Sequence, residues 1–214
     1  MDKDKVLETI TGTGLVAIIR TDTSAEALKI ADMCAAAGVK AIEISLTLNE
    51  GIDVIKKLSK QYENTDVIIG AGTVLNPDTA ALAIDAGARY IISPCLNTKT
   101  VEYCVKNNIA CLPGAMTVKE VVDAINVGAD IIKVFPAELF GPPIIKAIKG
   151  PLPFAMLMPT GGVTCENVGQ WIKAGSVAVG VGNSLISPAK SGNISALQEL
   201  VTKYLDEIKK ARST

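Results

Sequence analysis

Histidine is absent from the 214-residue chain. That excludes Ser-His-Asp and Cys-His catalysis and weighs against a zinc site. A general base must then be Asp, Glu, Lys, Tyr or Cys. Aromatic residues make up only 4% against 49% hydrophobic residues, so the core must be aliphatic. The five cysteines, Cys34, Cys95, Cys104, Cys111 and Cys165, are odd in number and no two are spaced C-x-x-C. They read as small buried hydrophobes in a reducing compartment. Neither sign of charge is in excess: Lys plus Arg is 21, Asp plus Glu is 22 and the net charge is −1. There is no basic surplus for nucleic acid and no polybasic patch for a membrane surface. No apolar run is long enough to span a bilayer, and Met1 to Lys5 opens on a polar helix pattern rather than a signal core. A cytoplasmic enzyme or binding protein is the expectation.

What is present is a repeat. Ala36-Ala37-Gly38 precedes Val39 to Ile44, Asp85-Ala86-Gly87 precedes Ala88 to Ser93, Asn126-Val127-Gly128 precedes Ala129 to Val134, and Lys173-Ala174-Gly175 precedes Ser176 to Val181. Each glycine suits the left-handed position that ends a helix, and each run after it suits a buried parallel strand. Each interval holds two strand–helix units. The intervening strands are Leu15 to Arg20, Val67 to Ala71, Ile109 to Leu112 and Ala155 to Met158, giving eight in all. Capping boxes at Thr23–Glu26 and Thr117–Glu120, and Asn76 before Pro77, open helices between them. Asp2 to Thr11 predicts an extra helix before the first strand. Ile194 to Lys210 predicts a last helix with Leu197, Leu200, Val201, Tyr204, Leu205 and Ile208 on one face. The expected fold is α/β, a single (β/α)8 TIM barrel over residues 1–214 with an extra N-terminal helix. A doubly wound open sheet is the competing architecture.

Lys133 is the anomaly. It lies within Asp130-Ile131-Ile132-Lys133-Val134-Phe135-Pro136, a short apolar run that reads as a buried strand. Lysine is rarely buried unless paired or functional. Either it snorkels or pairs with a carboxylate, or desolvation frees its amine to attack a carbonyl. Five residues past each repeat glycine stand Glu43, Ile92, Lys133 and Gly180. In a barrel, alternate strands supply one interior layer, so Glu43 and Lys133 are expected to face each other, with Gly180 leaving space. Arg20 adds a third charge at the carboxyl end of a strand, where barrel active sites form.

Two glycine-bearing stretches follow the last two strands: Pro159-Thr160-Gly161-Gly162-Val163-Thr164 and Gly180-Val181-Gly182-Asn183-Ser184. Loops there commonly bind phosphate, because glycine lets backbone N–H groups approach the anion. The plain alternative is tight turns only. Gly70-Ala71-Gly72-Thr73 and Ser93-Pro94 end two more strands, and Thr73 offers a hydroxyl to a substrate or water.

The motifs Ile42-Glu43-Ile44-Ser45-Leu46-Thr47, Gly70-Ala71-Gly72-Thr73-Val74, Ile92-Ser93-Pro94, Leu112-Pro113-Gly114, Lys133-Val134-Phe135-Pro136-Ala137-Glu138 and Pro159-Thr160-Gly161-Gly162-Val163 run in order along nearly the whole chain. Together they resemble the family of 2-keto-3-deoxy-6-phosphogluconate and 4-hydroxy-2-oxoglutarate aldolases. The resemblance implies a class I aldolase of Entner–Doudoroff-type carbohydrate metabolism: a homotrimer of (β/α)8 barrels with no metal or other cofactor. It implies Lys133 as the Schiff-base lysine and Glu43 as the general acid/base. Thr73, Pro94, Phe135 and Thr160 then line the pyruvate end, and Gly161, Gly162, Gly182 and Asn183 hold phosphate. Where some members carry arginine shortly after the glutamate, this chain has Thr47. Others place arginine at the end of the first strand, so Arg20 is assigned to the substrate carboxylate. Asn183 stands where some members have serine. A 6-phosphogalactonate-series aldolase, an epimerase or thiamin-phosphate synthase, and a non-catalytic phosphosugar-binding barrel are the rivals.

Overall fold

The computed structural model describes residues 2–213. Parallel strands alternate with helices along most of the chain. The strands are β1 (Leu15–Ile19), β2 (Ala41–Ser45), β3 (Ile68–Gly72), β4 (Tyr90–Ile92), β5 (Ala110–Leu112), β6 (Gly114–Ala115), β7 (Ile132–Val134), β8 (Leu157–Pro159) and β9 (Val179–Val181). The helices are α1 (Lys3–Thr13), α2 (Ser24–Ala36), α3 (Gly51–Gln61), α4 (Pro77–Asp85), α5 (Thr98–Lys106), α6 (Val118–Asn126), α7 (Pro143–Lys149), α8 (Val168–Lys173), α9 (Asn183–Lys190) and α10 (Ile194–Arg212). A 3-10 turn over Ala137–Leu139 follows β7.

The strands form two parallel sheets, one ordered β5-β4-β3-β2-β1-β9 and one ordered β6-β7-β8. Eight strands were expected; nine occur among the described residues because the fifth is interrupted at Pro113. Proline has no N–H to give to a ladder, although its carbonyl still accepts from the Lys133 N–H at 2.9 Å. An isolated parallel bridge joins Thr160, just past β8, to Gly180 of β9. The sheet is thus curled, with its sixth-ordered strand β9 paired to β1, Leu15 opposite Val179.

Both faces are covered, which explains the near-continuous apolar runs. One face carries Val16, Ala41, Ile68, Tyr90, Ile92, Leu112, Ile131, Met158 and Ala178, packed with Val6 and Ile10 of α1. The other carries Ala17, Ile19, Ile42, Ile44, Ile69, Ile91, Ile132 and Val179, packed against the surrounding helices. The extra N-terminal helix therefore meets the same strand faces that carry the odd charges.

The four repeat glycines all lie past a helix end with positive φ: Gly38 and Gly87 at 101°, Gly128 at 92° and Gly175 at 110°. The helix starts expected at Thr117 and Asn76 are present, and of the box expected at Thr23–Glu26 only the Thr23 half is formed. Thr117 and Glu120 form a full capping box. Asn76 accepts from the Thr79 N–H, and Thr23 accepts from the Glu26 N–H. Each cap stabilises its helix by about 1 kcal/mol. At the other end of the chain, the Arg212 guanidinium donates to the carbonyls of Thr11, Gly12 and Val177, lacing α10 to α1 and to the entry of β9.

Candidate active site

Lys133 sits at the middle of β7, opposite Gly114 on one side and Met158 on the other. It is 5% exposed and Glu43, on β2, is 1% exposed. Lys133 Nζ lies 4.0 Å from Glu43 Oε1 and 5.2 Å from the centre of the Phe135 ring. The expected face-to-face layer of Glu43 and Lys133 is therefore present. At that separation the attraction is about 4 kcal/mol for an effective dielectric near 20, set against the cost of taking both charges out of water. Two glycines make the room. A side chain at Gly72 would overlap Glu43 Oε1, and one at Gly180 would strike Thr160 Oγ1. Glu43 Oε2 and Thr160 Oγ1 are buried with no hydrogen-bond partner among the described residues.

A chain of hydroxyls stands at the carboxyl ends of β2 and β3. Ser45 Oγ lies 3.0 Å from Thr47 Oγ1 and 3.1 Å from Thr73 Oγ1. Thr73 has φ of 61°, a conformation that a β-branched residue adopts at a cost of about 1–3 kcal/mol and that clusters at functional sites. Pro94 follows β4, and its carbonyl approaches Gly114 so closely that no side chain would fit at Gly114.

The remaining assigned residues gather around one cleft of about 390 Å³. Arg20, Phe135 and Thr160 line it, as do Gly161, Gly162, Gly182 and Asn183. Lys133, Glu43, Thr73 and Pro94 are not among its lining residues; Phe135 and Thr160 connect the cleft to the buried pair. The loops after β8 and β9 are fastened to each other, because Ser184 Oγ donates to the Val163 carbonyl at 2.7 Å. Asn167 braces the first loop, giving its amide N–H to the Gly162 carbonyl and accepting from the Thr164 N–H. Gly161 and Gly162 both have positive φ. Asn183 opens α9, and its Oδ1 accepts from Lys190 Nζ at 3.3 Å, which directs the amide NH₂ elsewhere. The two glycine loops thus meet at the start of α9, the kind of place where anions are commonly bound.

Sequence reasoning gave no role to three residues placed here. Glu138 lines the cleft, its carboxylate filling the space a Gly161 side chain would take; its signal was its place in Lys133-Val134-Phe135-Pro136-Ala137-Glu138. Ser45 links Thr47 to Thr73, and its signal was its even spacing from Glu43 along a strand. Tyr90 is fully buried inside, and nothing in the sequence showed that its ring would cross a neighbouring strand.

The family model for KDPG and KHG aldolase matches residues 6–200. A 2-dehydro-3-deoxy-phosphogluconate aldolase of Pseudomonas aeruginosa is 35% identical over 164 residues, which cover 76% of this chain and 74% of that one. A 2-dehydro-3-deoxy-6-phosphogalactonate aldolase of Escherichia coli is 35% identical over 185 residues, 86% of this chain and 90% of that one. A KDPG aldolase structure from Legionella pneumophila, with pyruvate captured at low pH as a covalent carbinolamine intermediate, superposes with a TM-score of 0.82 at 28% identity, covering 90% of this chain and 94% of that one. A parallel α/β fold with a curled sheet, a matching aldolase family model and these aldolase relatives define a lyase. The chain belongs to the KDPG and KHG aldolase family.

Proposed function

We propose that the protein is a class I aldolase that cleaves 2-keto-3-deoxy-6-phosphogluconate to pyruvate and glyceraldehyde 3-phosphate through an imine on Lys133. The observation that carries the reading is the buried Lys133–Glu43 pair, 4.0 Å apart, beside a cleft edged by two glycine loops. Lys133 attacks the C2 ketone, and Glu43 relays the protons that let water leave through a carbinolamine. The resulting protonated imine is the electron sink. As the C3–C4 bond breaks, its electron pair flows into the imine and Glu43 takes the proton of the C4 hydroxyl. The aldehyde departs. Glu43 returns a proton to C3 of the enamine, and water releases pyruvate.

Arg20 grips the substrate carboxylate as a bidentate partner, with Thr73, Pro94, Phe135 and Thr160 lining the pyruvate end. The N–H groups of Gly161, Gly162 and Gly182 and the Asn183 amide take the phosphate. The same machinery cleaves 4-hydroxy-2-oxoglutarate to pyruvate and glyoxylate. A second reading, the 6-phosphogalactonate-series substrate with the opposite C4 configuration, is favoured by one observation: the Escherichia coli relative of that name is as similar as the phosphogluconate one.

The two sheets are proposed to act as one closed (β/α)8 barrel. Three contacts support this: the single residue Pro113 between β5 and β6, the Thr160–Gly180 bridge, and the Val177 N–H on the Leu157 carbonyl at 3.0 Å. A cytoplasmic homotrimer belongs to the same proposal, by resemblance to the family.

Borohydride with pyruvate should add mass irreversibly to the peptide carrying Lys133, and label on another lysine, or none, rejects the mechanism. Trapping also separates an enzyme from a non-catalytic phosphosugar-binding barrel. A panel of phosphorylated and unphosphorylated keto acids of both C4 configurations, coupled to pyruvate detection, then selects the substrate.

A further inference from the structure

Tyr90 is fully buried, and its hydroxyl has no hydrogen-bond partner among the described residues. Glu43 Oε2 is in the same condition. Buried polar atoms without partners are rare, and ordered water commonly satisfies those that lack a protein group. The two orphans are not scattered. Glu43 on β2 is the Cα partner of Gly70 on β3, and Gly70 is the Cα partner of Tyr90 on β4. Three adjacent strands thus place Tyr90, Gly70 and Glu43 in one row.

Gly70 is what lets the row communicate. A side chain there would run into the far edge of the Tyr90 ring, so the ring lies across Gly70. Neighbouring strands are about 4.8 Å apart. A ring reaching over the middle strand of three carries its hydroxyl toward the side chain of the third.

We propose that Tyr90 is a positioning residue for Glu43, its phenol linked to Glu43 Oε2 through one buried water, while Oε1 faces Lys133. The proposal rests on the reading of Glu43 as the acid/base of the aldolase. Tyr90 touches no substrate. It holds the carboxylate by its second oxygen, so that the first is presented to the amine and to the C4 hydroxyl. Burial first, and the Glu43 charge second, hold the Tyr90 phenol well above its usual range. It therefore stays a neutral hydrogen-bond donor throughout the working pH range. No bond is made or broken on it.

Other charged or titratable groups around Glu43 are few. Lys133 faces it from β7, and Arg20 stands at the end of β1. The facing positions of β3 and β9 are the glycines Gly70, Gly72 and Gly180, and Thr160 after β8 brings a hydroxyl that does not titrate. A donor to Oε2 favours the ionised carboxylate, so its loss makes Glu43 easier to protonate.

Tyr90→Phe keeps the ring over Gly70 and removes only the hydroxyl. The expected result is a kcat about tenfold lower with KM within about twofold. The acid limb of the kcat profile should move to higher pH, since the lost donor had favoured the carboxylate. Difference infrared spectra, wild type against Glu43→Gln, follow the Glu43 carboxylate without any turnover, and Tyr90→Phe should move its protonation in the same direction. An unmoved infrared titration and pH profile in a folded Tyr90→Phe protein overturn the proposal, and leave the hydroxyl a mere orphan whose removal is neutral or stabilising. If borohydride fails to trap Lys133 in the wild type, the aldolase reading falls instead, and the infrared titration still decides the Tyr90 link.

Discussion

Replacing Lys133 with methionine tests the burial of the catalytic pair as a matter of stability. Methionine fills much of the lysine's volume and leaves Glu43 buried beside Gly72 with no cation. The lost attraction at 4.0 Å is about 4 kcal/mol at an effective dielectric near 20. Removing one partner of a buried pair costs about 3–5 kcal/mol in measured cases, so the two routes agree. Urea unfolding at pH 7 should show that loss, and with a slope near 3 kcal/mol per molar the midpoint falls by about 1 M or more. Two further results are required. Lowering the pH should narrow the gap to wild type, because protonating the lone carboxyl removes the buried charge. Lys133→Met combined with Glu43→Leu should recover most of the loss, since a buried pair exchanged for apolar groups is often neutral. A Lys133→Met protein as stable as wild type at pH 7 would refute the reasoning, for the carboxylate would then have found solvent or another donor.

Two other outcomes are expected. Gly72→Ala should cost about 1–3 kcal/mol by overpacking and at least tenfold in kcat, since its methyl group occupies the place of Glu43 Oε1; unfolding and steady-state assays of one preparation check both. Glu120 is held below the usual carboxylate range, first by the Met116 N–H and then by the Thr117 N–H. Its folded state thus favours the ionised form, and its contribution is present above the unfolded value near pH 4 and lost as pH falls through the lower folded one. Glu120→Gln should therefore destabilise by roughly a few tenths of a kcal/mol at pH 7, since the group is exposed and glutamine can still accept the cap bonds, and by almost nothing near pH 2, measured by urea unfolding at both.

Much of the strand plan was legible because glycine is the residue that ends a helix in the left-handed region. Gly38, Gly87, Gly128 and Gly175 do so, and counting five residues from each is enough to set Glu43 opposite Lys133. Pro113 stood inside a quoted motif, yet its effect on strand count depends on a ladder whose partner, Lys133, is distant in sequence. Thr73's positive φ had no signal, because threonine is an unfavourable choice there and only the surrounding structure holds it. Glu138 and Tyr90 were missed for a related reason. Their neighbours, Gly161 in the loop after β8 and Gly70 on β3, come from other parts of the chain, and spacing along one segment says nothing about which side chain crosses another. The phosphate loops were placed by position alone; the Ser184–Val163 and Asn167–Gly162 bonds that fix them are invisible to a motif.

The pairing of Leu15 with Val179 has a consequence for how the chain is made. During synthesis β1 emerges long before β9, so its second edge waits while the strands and helices between them are made. Long-range parallel pairing of this kind is slow, and an apolar edge left open meanwhile invites wrong partners. The first strand, which ends beside Arg20, is thus both the earliest part of the cleft to be translated and among the last to be completed. A ribosome stalled before β9 would display an unfinished sheet with an adhesive border.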